Sequence, residues 1–145
     1  MQLGSALHFR RVSLTINVNT LILIALGGMI GAVLRYIVGG WLGSSPDGFP
    51  TGTLAVNFTG TLILGTIMYL SEYSAGVPPE ARTMLTVGVL GAYTTMSTFG
   101  YESFRLLEQG NTFRFASYLL ATNGLVIAGI LVGKIVAQRL ASTMM

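Results

Sequence analysis

Thr53, Asn57 and Thr61 stand at i, i+4 and i+8 in the run GTLAVNFTG, and the ten residues GAYTTMSTFG (91–100) hold Tyr93, Thr94, Thr95, Ser97 and Thr98. Helical spacing would place the first three on one face. A hydroxyl or amide surrounded by hydrocarbon is costly unless it finds a partner or lines a wet cavity. Such groups offer hydrogen bonds to an anion without carrying a fixed charge, and an aromatic edge, as at Phe99, presents positive partial charge beside them. Gly88, Gly91 and the pair Thr94-Thr95 weaken a helix where a membrane span should be most regular. Non-helical backbone at that depth is tolerated only inside protein or against water. Carbonyls released by such a break can hold a small cation, and the hydroxyls of Thr95, Ser97 and Thr98 can face an anion. The bland competitor is that the hydroxyls bond back to their own i−4 carbonyls. With two glycines alongside, that is expected to explain the lesser part of the cluster.

Other polar groups are weaker signals. For the Thr53, Asn57 and Thr61 face, an interhelical hydrogen bond worth ~0.6–2 kcal/mol and an ion route are equally open. Tyr118 and Thr122 repeat the i, i+4 spacing beside Asn123, but the face continues into Val126 and Ile130, so on spacing alone the pair reads as an interface anchor. Arg35 lies about eight residues, or about 12 Å, before the expected end of its helix. Its head can snorkel, cap a helix or draw anions into a vestibule, and a structural role with an electrostatic side effect is favoured. Glu102 and Arg105, at i, i+3 beyond the third span, read as a solvated pair contributing little. Glu102 also follows Phe99 by three and so can face the same route.

The elements that must position these residues follow from composition. Of 145 residues, 52% are hydrophobic and only 9% charged, with a mean hydropathy of +0.69. Soluble chains carry about 25% charged residues, so this chain cannot cover a soluble globule. The 19 glycines suit membrane helices. A net charge of +3 would admit nucleic acid, but the Lys and Arg residues are scattered rather than gathered in a stripe, which argues against it. Without cysteine, and with His8 the single histidine, disulfides and Cys- or His-based metal centres are excluded. No nucleophile and base pair is available, which argues against an enzyme.

Spanning a bilayer takes about 20 apolar residues. That predicts four helices at Thr20–Gly43, Thr51–Leu70, Arg82–Gly100 and Phe113–Val136, an all-α membrane unit over 20–145 with the third helix broken. Residues 1–19 read as an exposed tail in which Leu14, Ile16 and Val18 alternate weakly like a strand. SSPDGFP reads as a turn, SEYSAGVPPEAR as a polar loop, and YESFRLLEQGNTFR as an amphipathic helical extension ending at Gly110. Gly27 with Gly31, and Gly129 with Gly133, form small-residue pairs suited to close packing within the chain. Arg10, Arg11, Arg82, Lys134 and Arg139 would share one side of the membrane, Arg105 and Arg114 the other, so the orientation bias rests largely on the tail. Four helices are too few to enclose a pore, and self-association is expected.

Three blocks, GGMIGAVLRY, FPTGTLAVNFTG and GVLGAYTTMSTFGYE, with ATNGLVIAG in the fourth helix, resemble the CrcB/Fluc fluoride channel family from Ala25 to the C-terminus. The resemblance implies an antiparallel, dual-topology homodimer in the plasma membrane, with two narrow pores that export fluoride passively and relieve its toxicity. It implies a structural sodium ion at the dimer centre, held by the backbone carbonyls of Gly91 and Thr94. It places Thr53, Asn57, Thr95, Met96, Ser97, Thr98, Phe99, Glu102, Tyr118 and Thr122 along the ion pathway and Arg35 at its vestibule. The chain departs from the family at Met96, which stands where the first of two pore phenylalanines is usual. Two other readings compete. A proton-coupled exporter of the small multidrug type needs an intramembrane carboxylate, whereas Asp47, Glu72, Glu80, Glu102 and Glu108 are expected in loops or near helix ends. A non-conducting partner subunit of a paired channel is suggested by Met96.

Overall fold

The computed structural model describes residues 17–45, 48–74 and 76–144, with side chains described as far as 143. Among the described residues every regular element is helical: α1 (Val18–Leu42), α2 (Thr51–Tyr73), α3 (Pro79–Thr83), a π-helical segment (Met84–Leu90), α4 (Gly91–Tyr93), α5 (Met96–Glu108) and α6 (Thr112–Met144). Leu14, Ile16, His8, Arg10, Arg11 and Asp47 lie outside the described residues. Val18, expected in a strand-like tail, is instead the first residue of α1. The Asn17 side chain starts this helix by accepting the Asn19 N–H at 2.9 Å, as an N-cap does.

The helix boundaries have local causes. α1 stops at Gly43, whose φ of 51° suits glycine alone among common residues, and whose N–H closes on the Gly39 carbonyl at 2.8 Å. Thr51 then ties the turn by donating to the Leu42 and Gly43 carbonyls. α2 runs three residues past the expected end at Leu70, to Tyr73, taking in Ser71 and Glu72 of the expected loop; the Ser71 hydroxyl bonds back to the Ile67 carbonyl at 2.7 Å and exposes no unsatisfied group. α3 opens with Pro79 in its first turn, where a missing N–H costs nothing. α5 and α6 are separated by a tight turn at Gly110, φ 74°. With 33 residues, α6 is about 50 Å long. It passes well beyond the expected end at Val136 and exceeds the ~30 Å hydrocarbon thickness.

Among the described residues α1, α2 and α6 are the three helices long and apolar enough to cross a membrane. The third run is interrupted, so no single helix in it reaches that length. Two backbone-to-backbone contacts hold the bundle. On α6, a Cβ at Gly129 would stand 2.7 Å from Thr61 Oγ1, and one at Gly133 2.5 Å from the Leu62 carbonyl oxygen. On α1, Gly27 and Gly31 lie directly against the π-helical segment, and a Cβ at Gly88 would stand 2.9 Å from the Ile24 carbonyl. Gly88 was expected to loosen its helix. It remains helical, and its missing side chain serves close approach. Both small-residue pairs therefore pack within the chain. The outer faces of α1 and α6 present Met29, Val33, Ile127 and Leu131 to the surroundings, as helices dissolved in lipid do.

A candidate ion pathway at the broken helix

The break falls at Thr94-Thr95, one of the places expected to weaken the helix, and not at Gly88 or Gly91. Thr94 has ψ 158° and Thr95 is extended at φ −147°, ψ 116°. Thr95 caps α5: its Oγ1 accepts the Thr98 N–H at 3.2 Å, donates to Thr98 Oγ1 at 2.9 Å and lies 3.3 Å from Ser97 Oγ. Asn57, 7% exposed, spans the gap from α2. Its Oδ1 accepts the Thr95 N–H at 2.8 Å and its Nδ2 donates to the Thr95 carbonyl at 3.1 Å. One side chain thus supplies both partners that an extended residue would otherwise lack.

This arrangement has an electrostatic consequence. In a continuous helix the Thr95 amide would bond to the Gly91 carbonyl and the Thr98 amide to the Thr94 carbonyl. Asn57 takes the first amide and the Thr95 hydroxyl takes the second, so both carbonyls are released from those bonds. Arg35 reaches inward, not out to the interface, and its Nη1 donates to the Thr94 carbonyl at 3.4 Å. Among the described residues no three His, Cys, Asp or Glu side chains gather around a common point. Carbonyl oxygens freed from helical bonds are the kind of group that can hold a small hard cation, and the Thr94 oxygen does so here toward the Arg35 guanidinium.

Back-bonding takes one hydroxyl of the 91–100 cluster, the lesser part as expected, and one of the α2 face. Thr94 Oγ1 donates to the Leu90 carbonyl at 2.9 Å, and Thr61 Oγ1 to the Asn57 carbonyl at 2.9 Å. Tyr93 shares a hydrogen bond with Thr59 at 2.9 Å. Of the five hydroxyls in 91–100, Thr95, Ser97 and Thr98 remain, grouped at the head of α5.

Glu102 differs most from expectation. It lies inside α5, half-buried, not beyond a helix end as a solvated partner of Arg105. Its Oε1 accepts from Thr53 Oγ1 at 3.0 Å and its Oε2 from the Tyr118 hydroxyl at 2.7 Å. The carboxylate thereby joins α2, α5 and α6. Tyr118 is not an interface anchor: it is fully buried, its ring edge-on to Phe49 at 5.5 Å and tilted against Phe99 at 5.1 Å. One turn on, Thr122 is 5% exposed, and its Oγ1 lies near enough to the Tyr118 hydroxyl to act on it but makes no hydrogen bond of good geometry among the described residues. A buried hydroxyl left unpaired costs about 1–3 kcal/mol. Thr122→Val is accordingly expected to raise the thermal unfolding midpoint in detergent, by the equivalent of about 1 kcal/mol; a lowered midpoint would mean that the hydroxyl is satisfied.

A cavity of about 490 Å³ collects Arg35, Thr53, Thr95, Thr98 and Glu102, with Gly39 and Gly52 in its wall. Asn57, Phe99, Tyr118 and Thr122 stand behind that lining and support it. Ser97 and Met96 lie outside it, with Met96 74% exposed. Four supporting residues were missed by sequence reasoning: Phe49, Gly52, Thr59 and Gly60. A Cβ at Gly60 would overlap the Thr94 side chain, and one at Gly52 would stand 2.5 Å from the Gly39 carbonyl. The available signal was Gly60 following Asn57 by three on the same stretch of helix.

Residues 22–134 match the family model described as CrcB-like protein, Camphor Resistance (CrcB). The chain is 50% identical over 123 residues to fluoride-specific ion channel FluC 1 of Methanosarcina acetivorans, covering 85% of this chain and 94% of that one. It is 45% identical over 123 residues to FluC 3 of Methanosarcina barkeri, covering 85% and 93%. It is 40% identical over 116 residues to FluC of Rhizobium meliloti, covering 79% and 93%.

Proposed function

The chain belongs to the CrcB-like protein family, and from that membership we infer that it is a fluoride channel, a multi-pass membrane protein through which fluoride leaves passively. The observation that carries the reading to particular residues is the cavity beside the helix break, lined by neutral donors and one guanidinium. Fluoride is small and strongly hydrated, so its water must be replaced by closely spaced donors; the Thr98 hydroxyl is placed to donate, and those of Thr53 and Thr95, which donate to Glu102 and Thr98 in the structure, would have to turn toward the ion as it passes. A single Arg35 at the cavity draws anions in, and the accepting carboxylate of Glu102 keeps them from being held there. Conduction needs sites that bind weakly and in series, which neutral hydroxyls provide.

The assembly belongs to the same proposal. Two copies arranged antiparallel would bring two Gly91 and two Thr94 carbonyls together, and these four oxygens would hold one sodium ion as a structural element in the dimer. Bound there, sodium would neutralise the released carbonyls, and Asn57 would keep them released by occupying the Thr95 amide. The protein would act in the plasma membrane, where fluoride trapped after HF entry and dissociation can run down its gradient.

The test is direct. Purified protein in liposomes loaded with potassium fluoride should release fluoride once a potassium ionophore sets the potential, and should release little chloride under the same conditions. Release no faster than from protein-free vesicles, with folded protein confirmed by size exclusion, would overturn the assignment.

A further inference from the structure

A second, smaller cavity of about 280 Å³ adjoins the first on the side of the α1–α2 turn, lined by Ser44, Gly48, Tyr101, Glu102, Arg105 and Gln109 among others. The two cavities share Ser44 and Glu102 in their linings, so they meet at the carboxylate that Thr53 and Tyr118 hold. Each contains one arginine: Arg35 in the inner cavity, Arg105 in the outer. Arg105 sits in the last turn of α5, exposed, and Glu102, its expected partner three residues earlier, is engaged by Thr53 and Tyr118 instead. Its charge is therefore available at the mouth, with the Gln109 amide and the Ser44 hydroxyl as neutral donors beside it.

We propose that this outer cavity is an anion-collecting station that feeds the inner one, with Arg105 as its cation. The proposal rests on the channel reading above and adds to it an entry site. An anion arriving from water meets Arg105, Gln109 and Ser44 first. It then passes Glu102, whose two oxygens are occupied by hydroxyls donated from Thr53 and Tyr118, and reaches Arg35 and Thr98. A collecting charge raises the local ion concentration rather than the affinity of the narrow part, so its effect must fade as salt screens it.

The experiment compares initial fluoride efflux from proteoliposomes holding wild type, Arg105→Gln, Arg105→Lys or Arg139→Gln, across ionic strengths set with a salt of a bulky organic anion. Arg139 lines neither cavity. At low ionic strength Arg105→Gln is expected to conduct about threefold more slowly than wild type, the order given by one charge acting through water over a few ångström. The two rates should converge near 1 M salt, where screening acts within about 3 Å. Arg105→Lys should match wild type throughout, and Arg139→Gln should show no salt-dependent loss. A loss in Arg105→Gln that is the same at every ionic strength, no loss at all, or an equal loss in Arg139→Gln would overturn the station while leaving the channel reading intact. Absence of efflux from wild type would overturn the channel reading itself.

Discussion

Gly31→Ala is expected to leave little folded protein. An alanine Cβ at this position would overlap the Val89 carbonyl oxygen and stand 2.9 Å from its carbon and 3.0 Å from the Tyr93 amide nitrogen. All three obstacles are backbone, so no side-chain rotation relieves them. Relief would require α1 to move away from the π-helical segment, taking with it the contacts of Gly27 and Gly88. Overpacking usually costs about 1–3 kcal/mol, and a rigid backbone on both sides places this case at or beyond the upper end. Gly28→Ala is the matched control, because nothing lies within 4 Å of its Cβ. Alanine favours helix over glycine by up to about 1 kcal/mol, so that variant should be as stable as wild type or more so. Thermal unfolding in detergent with size exclusion reads both. A Gly31→Ala protein that elutes and melts like wild type would refute the α1 packing described above.

The contrast between those neighbouring glycines shows what could be read in advance. Small residues at spacing four announce a close helix contact, and both pairs, Gly27 with Gly31 and Gly129 with Gly133, pack as expected. What spacing does not reveal is the partner. The π-helical Met84–Leu90 was invisible, because a widened turn is set by what presses on it, not by the residues within it. The position of the break was only partly legible: Gly88, Gly91 and the pair Thr94-Thr95 all weaken the run, yet Gly88 and Gly91 stay helical, and the chain opens at the two threonines because Asn57 and the Thr95 hydroxyl supply substitute partners. That exchange depends on a residue 38 positions away. For Glu102 the spacing from Arg105 suggests a solvated pair and the spacing from Phe99 a place on the route, and what spacing could not supply is that two hydroxyls from other helices hold it. The three apolar spans were legible because each is a local property of composition. The polar network at the break was not, because each of its bonds joins different helices.

Asn57 carries the second large effect. Its amide donates to and accepts from one peptide unit at Thr95, so any replacement changes both ends. Asn57→Leu keeps the branched shape at somewhat greater volume and removes both bonds, stranding a buried N–H and a buried carbonyl at about 1–3 kcal/mol each. Asn57→Asp keeps the acceptor for the Thr95 amide but sets an oxygen against the Thr95 carbonyl, where the 3.1 Å bond now runs, and adds a negative charge beside the anion route. An uncompensated buried charge costs about 3–5 kcal/mol of stability, and the same charge separately raises the barrier for a passing anion, each 1.4 kcal/mol of barrier being a factor of about ten in rate. Fluoride efflux by Asn57→Asp is therefore expected to fall at least about 100-fold, with Asn57→Leu also impaired but by a smaller factor, since it brings no charge. The pair of variants separates the two roles that the spacing of Thr53, Asn57 and Thr61 left open. Equal losses would mean that Asn57 acts by holding the break alone, because charge would then be irrelevant. A larger loss in the aspartate, measured per folded protein, would mean that an anion passes within reach of this side chain. Normal efflux and normal melting in both would show that Thr95 does not depend on Asn57, and the account of the released Gly91 and Thr94 carbonyls would fall with it.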